Sequence, residues 1–191
     1  MAKAFTENEM EIIRQKLIES CRICWEKYGY KKTNVAELCA MSNISAGAFY
    51  AFFPSKEMLF VTTANHFTEK IYGILRSNKP EQPTKYDLIK SFGLIIEELA
   101  QNKWIFSIRG DYEVFLRKLP KDFLAQEYRK DLFDIAEVIK LYELTPKFSI
   151  EEITSVVYTI VLSLYFADTI GEHHKFACGL LINAVFEKLF E

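Results

Sequence analysis

TNVAELCAMSNISAGAFYAFFPSK, residues Thr33–Lys56, is the stretch on which the fold of this chain turns. It holds two short apolar-patterned segments separated by Ser42-Asn43-Ile44-Ser45. Thr33 can cap a first helix, its hydroxyl taking the free amides of Asn34–Glu37, with Glu37 completing a shifted capping pattern. That helix ends by Ser42–Asn43, where asparagine is the best non-glycine residue for a turn position of positive φ. Ser45 caps a second segment, Ala46–Phe53, which Pro54 closes. Val35, Leu38 and Cys39 give the first helix an apolar face, and Ile44, Phe49 and Phe53 supply the matching one. Two such helices form a helix-turn-helix, whose second helix presents its N-terminal residues to the major groove of DNA.

Helical periodicity continues in both directions. Upstream, about Glu7–Tyr28 sets Ile13, Leu17, Cys21, Cys24, Trp25 and Tyr28 on one stripe, and Gly29 can end that helix in the left-handed region. Downstream, Ser55 caps a long helix to about Asn78, and Pro80 and Pro83 interrupt the chain. Further helical patterns run over about Thr84–Asn102, Lys103–Leu119, Lys121–Leu144, Ser149–Ile170 and Gly171–Phe190. Seven Gly and five Pro are too few for a many-stranded sandwich or barrel. The expectation is an all-α chain of about nine helices: a three-helix unit over residues 1–54, then a helical domain over 55–191.

The motif extends beyond the helix-turn-helix. Leu17-Ile18-x-x-Cys21-x-x-Cys24-Trp25-x-x-x-Gly29-Tyr30 leads through Thr33, Leu38 and Ile44-Ser45. It closes with Gly47-Ala48-Phe49-Tyr50-x-Phe52-Phe53-x-Ser55-Lys56-Glu57-x-Leu59. This run of about fifty residues resembles the DNA-binding domain of TetR-family transcriptional repressors; beyond residue 60 only the helical character matches. Asn43 stands where that family usually has glycine. Ala46 stands where it often has a polar or basic residue, so Ser45–Phe53 carries no charge.

At DNA, Ser45 and Ala46 would open the recognition helix, whose free amides favour a phosphate. Gly47 lets the backbone approach closely, and Ala46 and Ala48 can touch thymine methyl groups without hydrogen-bonding base edges. Thr33, Tyr50 and Lys56 resemble the family's phosphate contacts. Removing Lys56 would then weaken binding to any operator and flatten its salt dependence. Phe49 and Phe53 read as core, and Phe52 reads as either core or a duplex contact. The set favours phosphate contacts and shape over direct readout.

Charge is an independent check. The whole chain carries −2, but residues 1–56 hold eight Lys+Arg against six Asp+Glu, a net +2, and the remainder holds 16 against 20, a net −4. Lys27, Lys31 and Lys32 cluster just before Thr33. The 16 Phe, 10 Tyr and 2 Trp exclude a disordered chain. Met1–Asn8 has no apolar core of a secretory signal, and the uncharged run Ile153–Ala167 is shorter than the roughly 20 residues of a membrane span. A cytoplasmic protein without a membrane partner is expected.

The resemblance implies a ligand-responsive regulator, of repressor type, that binds a two-fold symmetric double-stranded DNA operator as a homodimer and is released by a small-molecule effector. Two other readings stay open: a helical DNA-binding protein without effector, and a small-molecule binding module. Candidate effector contacts are the large side chains Phe92, Ile96, Trp104, Ile108, Tyr112, Tyr158, Leu162 and Tyr165, which point to an apolar or aromatic molecule, although an aromatic stripe at helical spacing is more often core than ligand cage. Arg109 can meet an anionic ligand or pair with Glu113 one turn on, the latter being favoured. The last two helices are the expected dimer elements, through Val157, Val161, Leu164, Leu181, Val185 and Leu189, unless they serve a wholly intrachain core.

Catalysis finds no support. There is no glycine-rich phosphate loop, GxSxG elbow or HExxH. Cys21-Arg-Ile-Cys24 has CxxC spacing, but both thiols fall on the apolar stripe and no second pair completes a metal site. No enzyme, cofactor or metal is expected.

Overall fold

The computed structural model describes residues 5–121 and 134–191, with the side chains of 108–113 outside that description. The described residues form an all-α fold. Helix α1 (Glu7–Lys32) begins at a reciprocal cap in which Thr6 and Glu9 satisfy each other's backbone amides, at 2.8 and 3.2 Å. Helix α2 (Val35–Ser42) and a 3-10 turn (Ala48–Ala51) come next. Helix α3 (Lys56–Asn78) starts where Ser55 Oγ accepts from the Met58 amide at 3.1 Å. Its bounds are those read from the sequence.

The expected helix Lys103–Leu119 is instead a 3-10 segment (Lys103–Asp111) continued by the short α5 (Tyr112–Leu116); α4 (Lys85–Gln101) precedes it. Within the 3-10 segment the Ser107 hydroxyl donates to the Trp104 carbonyl at 2.8 Å, a local bond that competes with α-helical pairing. Of the expected Lys121–Leu144 helix the structure shows α6 (Ile135–Leu141), capped by Asp134; residues 122–133 lie outside the description.

Three more helices complete the chain: α7 (Ile150–Ser163), capped reciprocally by Ser149 and Glu152, the one-turn α8 (Ala167–Ile170), and α9 (His174–Leu189). A 3-10 turn, Leu164–Phe166, separates α7 from α8, so the expected continuous helix Ser149–Ile170 is broken. Among the described residues Ile150–Ile170 is the one stretch long and apolar enough to cross a membrane by length and composition. In the fold it bends at that turn and buries Ile153, Val157, Ile160, Val161 and Leu164.

Packing divides the chain into two compact units: Met1–Phe67 with Trp104–Arg129, and Thr68–Lys103 with Lys130–Glu191. The division by packing falls inside α3, after Phe67, and not at the expected boundary after residue 54. The first unit is centred on aromatic rings. Trp25 lies 4.6 Å from Phe60 and 4.9 Å from Trp104, and Tyr30 meets Phe60 and Phe115 edge-on at 5.3 Å each.

The second unit packs α4 with α6, α7 and α9 around Phe92, Ile95, Val138, Ile153, Val157 and Phe186. Phe92 lies 4.7 Å from Phe186. Tyr142, fully buried, closes this core: its hydroxyl donates to the Leu75 carbonyl at 2.9 Å and is 2.7 Å from Ser91 Oγ. The next residue, Glu143, takes φ 53°, so that the Leu144 amide returns to the Ile139 carbonyl at 3.1 Å and ends α6.

Tyr142→Phe keeps the ring but leaves a buried carbonyl and a buried hydroxyl without that partner. Urea unfolding should show a loss of about 1–3 kcal/mol, with the Ser91→Ala variant milder; equal stability of Tyr142→Phe and wild type would remove this bond from the account of the core.

Candidate nucleic-acid interface

The site begins where α1 ends. Gly29 sits at φ 73° and ψ 177°, a bend that only glycine adopts without strain, and it turns the chain toward α2. Thr33, 1% exposed, folds back over this bend, its hydroxyl donating to the Gly29 carbonyl at 2.8 Å. That bond corrects two expectations. The cap of α2 is Asn34, whose Oδ1 accepts from the Glu37 amide at 2.9 Å, because the Thr33 hydroxyl is already engaged. And Thr33, buried, offers no side-chain surface to a phosphate.

Lys56, at the start of α3, is placed against the same bend. Its ammonium donates to the carbonyls of Tyr30 and Thr33, both at 2.9 Å, and lies 4.2 Å from the centre of the Tyr30 ring. The Tyr30 hydroxyl donates to the buried Glu57 carboxylate at 2.6 Å, so two consecutive residues of α3 hold one tyrosine of α1. The structure thus assigns Lys56 to the helix-turn-helix framework, where the family resemblance implies a phosphate contact. The sequence carries part of that signal: a tyrosine beside the glycine and Lys-Glu at a helix start.

The turn has the expected geometry. Asn43 sits at φ 58° and ψ 44°, its amide reaching the Ala40 carbonyl at 3.2 Å and the Ile44 amide the Cys39 carbonyl at 3.0 Å. Behind it Ser20 and Ser42 share a buried hydrogen bond of 3.2 Å between α1 and α2. Ser45 Oγ accepts from the Ala48 amide at 3.3 Å, as a cap should.

The segment it starts is shorter than expected: a 3-10 turn, Ala48–Ala51, with the amides of Phe52 and Phe53 both reaching the Phe49 carbonyl. Between a cap at Ser45 and Pro54 there is room for little more than two turns, and so short a helix depends on its anchors. Those anchors are Phe49, Phe52 and Phe53, exposed by 0, 4 and 2%. Phe52 packs with its ring 5.7 Å from that of Phe5, on the core side of the two readings the sequence leaves open for it.

Ser45, Ala46 and Gly47 remain exposed, with Ala48 half-buried and Tyr50 64% exposed. A side chain at position 47 would meet nothing within 4 Å, so the chain's own packing does not demand glycine there. Lys27, Lys31 and Lys32 are exposed.

The cysteines are not reagents. Burial pushes the Cys21 thiol up to about 12 and raises those of Cys24 and Cys39, so all three stay protonated, and all four cysteines are free and buried. No group of three potential metal ligands occurs among the described residues.

The candidate effector and dimer residues are redistributed. Phe92 is core, Trp104 belongs to the first unit, and Tyr165 is 47% exposed. Tyr158 and Leu162 are half-buried, while the side chains of Ile108, Arg109 and Tyr112 lie outside the description. Ile96 alone of the set lines a cleft of about 280 Å3, together with Glu97, Ala100, Gln101, Leu164, His174 and Lys175. Among the expected dimer residues Val157, Val161, Leu164 and Leu189 are buried in the chain's own core. Val185 is half-buried and Leu181 49% exposed. The exposed apolar residues that sequence reasoning misses are Phe166, Ile170 and Phe176; together with Leu180, which the sequence does place in the last dimer helix, they are exposed by 50 to 72%. In α9 they stand opposite the buried row His174, Cys178, Ile182, Phe186, a spacing of four that sequence alone could have supplied.

Comparison with known proteins agrees with this geometry. Residues 17–62 match the model for bacterial regulatory proteins of the tetR family. An uncharacterized HTH-type transcriptional regulator of Bacillus subtilis (strain 168), YuxN, is 29% identical over 94 residues, 49% of this chain and 32% of that protein. The HTH-type transcriptional repressor Rv1474c of Mycobacterium tuberculosis is 29% identical over 69 residues, 36% of this chain and 37% of that protein. The match therefore spans about a third of each curated relative. The solved structure of a TetR-family transcriptional regulator (HI0893) from Haemophilus influenzae superposes with a TM-score of 0.65 at 17% identity, covering 97% of this chain and all of that one, and shows the same fold.

The position of Lys56 gives a test. Lys56→Ala should lower the midpoint of thermal unfolding and weaken DNA binding, yet change the slope of log affinity against log salt by less than the roughly 0.9 that one lost phosphate contact costs. Loss of a full contact's worth of slope with unchanged stability would return Lys56 to the phosphate-binding set.

Proposed function

We infer that this chain, a TetR-family transcriptional regulator, binds a two-fold symmetric double-stranded DNA operator as a homodimer, represses from it, and releases it when an apolar or aromatic small molecule binds. It is a DNA-binding protein and not an enzyme, and it acts in the cytoplasm. Residues 1–54 read the operator and residues 55–191 take the effector and the partner subunit.

The observation that carries the reading is the helix-turn-helix itself. Asn43 in the left-handed region sets the turn, three buried phenylalanines hold the recognition segment, and Ser45, Ala46, Gly47 and Tyr50 stay exposed. With Ser45 and Tyr50 as hydroxyl donors to phosphate and Ala46 and Ala48 able to meet thymine methyls, the segment suits positioning and shape readout. Its lack of charge, with a net of only +2 over residues 1–56, makes a single copy a weak binder. Two copies on half-sites about 34–36 Å apart supply the missing affinity.

The exposed apolar residues Tyr165, Phe166, Ile170, Phe176, Leu180 and Leu181 support the dimer. So large a set of exposed apolar side chains on the last helices is what a subunit interface covers.

An electrophoretic shift of DNA from the chain's own upstream region tests the central claim. Binding should be saturable and should fall linearly in log affinity with log salt; indifference of that DNA to the protein at low salt sinks the operator reading. Phe176→Glu with Leu180→Glu should leave the fold intact by circular dichroism while sedimentation shows a monomer, and operator affinity should drop by at least tenfold, about 1.4 kcal/mol. A double variant that still sediments as wild type places the interface elsewhere.

A further inference from the structure

Two sulfur atoms meet where α1 packs on α2. The thiol of Cys24, a residue of α1 that is 1% exposed, donates to Sδ of Met41 in the last turn of α2, at 3.5 Å. Met41 is itself 44% exposed, whereas Met10 and Met58 are half-buried. We propose that Met41 is a modification site: a peroxide oxidises its thioether to a single sulfoxide epimer, and the oxidised helix-turn-helix releases its operator. The release rests on the operator-binding reading above; the oxidation does not.

Of the two sulfurs, the chemistry selects the methionine. A peroxide is attacked by the thiolate of a cysteine, and burial raises the Cys24 thiol so that it stays protonated. A thioether has no proton to lose, and its reactivity follows its exposure. In the reaction a lone pair of Sδ forms the S–O bond as the O–O bond of hydrogen peroxide breaks. The sulfur gives up two electrons, the peroxide takes them, and its second oxygen leaves as water.

The same contact sets the stereochemistry. A methionine sulfur has two lone pairs, and oxidation of one or the other gives opposite epimers. One of them accepts the Cys24 S–H, and at 3.5 Å the two sulfurs are already in contact, so no oxygen enters between them. The oxygen adds to the lone pair that Cys24 leaves uncovered. Cys24 thus guards one side of its neighbour.

The place of Met41 in the chain carries the change to the DNA-binding segment. Next to it is Ser42, which shares the buried 3.2 Å bond with Ser20 of α1, and then Asn43, which sets the turn. A sulfoxide is polar where the thioether was apolar, and hydration draws the last turn of α2 away from Cys24. That displacement acts on the Ser20–Ser42 bond and on the turn, and the exposed row that starts at Ser45 loses its placement.

Hydrogen peroxide titrated onto the full chain tests this, with peptide mass mapping as the readout. Met41 should gain one oxygen at least about fivefold faster than Met10 or Met58. Two methionine sulfoxide reductases, each specific for one epimer and supplied with a thiol reductant, are then applied to the digest; one should restore Met41 in full and the other should leave it oxidised. Cys24→Ala, which removes the guard, should yield both epimers. The oxidised chain should bind its upstream DNA at least about tenfold more weakly and recover with the effective reductase, while Met41→Leu should bind as wild type before and after peroxide. Equally fast oxidation of Met10 or Met58, or a mixture of epimers from the wild type, overturns the site, and a single epimer from Cys24→Ala overturns the guard. Unchanged DNA affinity of the oxidised chain, or the same loss in peroxide-treated Met41→Leu, overturns the switch. A chain that fails to bind that DNA before any oxidation removes the operator reading, and the rate and epimer readouts still decide the site.

Discussion

One ammonium group organises the helix-turn-helix of this molecule. Lys56 donates to the carbonyls of Tyr30 and Thr33, the two residues that flank the passage from α1 to α2, and its own helix carries Glu57 to the Tyr30 hydroxyl. Each carbonyl belongs to the frayed end of α1, where the bend at Gly29 has interrupted the helical ladder and left acceptors to be satisfied. A cation at a helix C-terminus also meets the negative end of the helix dipole. The three features are interdependent. The Gly29 bend turns the carbonyls out, the carbonyls draw Lys56 over the Tyr30 ring, and Lys56 joins the Thr33 hydroxyl, the Tyr30–Glu57 bond and the Ser20–Ser42 bond in fixing the junction between α1 and α2.

The elements after the junction inherit its precision. Asn34 caps α2 one residue past the held Thr33 carbonyl, α2 ends in the Asn43 turn, and that turn delivers Ser45. The exposed row Ser45, Ala46, Gly47 and Tyr50 is therefore positioned from both sides, by the junction before α2 and by the three phenylalanines after Ser45. Few groups in this segment can hydrogen-bond a base edge, so under the proposed operator binding discrimination between sequences would rest on placement of the backbone and rigidity of the frame.

Local elements are legible in this sequence, and long-range pairings are not. Asn43, Ser45, Ser55 and Ser149 announce their roles because capping and turn chemistry involve atoms within four residues. Thr33 misleads because a threonine before a helix looks the same whether its hydroxyl caps forward or folds back; the choice depends on the Gly29 bend. The packing role of Lys56 is hidden because nothing local shows that Tyr30 and Thr33 lie beside it, 26 and 23 residues away in sequence. The same blindness scatters the effector residues. Trp104 and Phe92 are both large aromatics on helical stretches, yet one packs on Trp25 of the first unit and the other on Phe186 of the second.

The last two long helices show how an apolar stripe can be read two ways. In α7 the row Ile153, Val157, Ile160 and Val161 has a clear direction, but periodicity does not say what it faces, and Val157 and Val161, expected at an interface, are buried in the chain's own core. In α9 the direction is set by the residues that are not apolar or are small: His174 and Cys178 join Ile182 and Phe186 inward, held by Ser163 at the end of α7. That polar tether turns Phe176, Leu180 and Leu181 outward. A buried histidine held by a half-buried serine thus fixes which face of α9 stays exposed, because the same hydrogen bond that draws His174 against the end of α7 leaves the opposite row of the helix without a covering element.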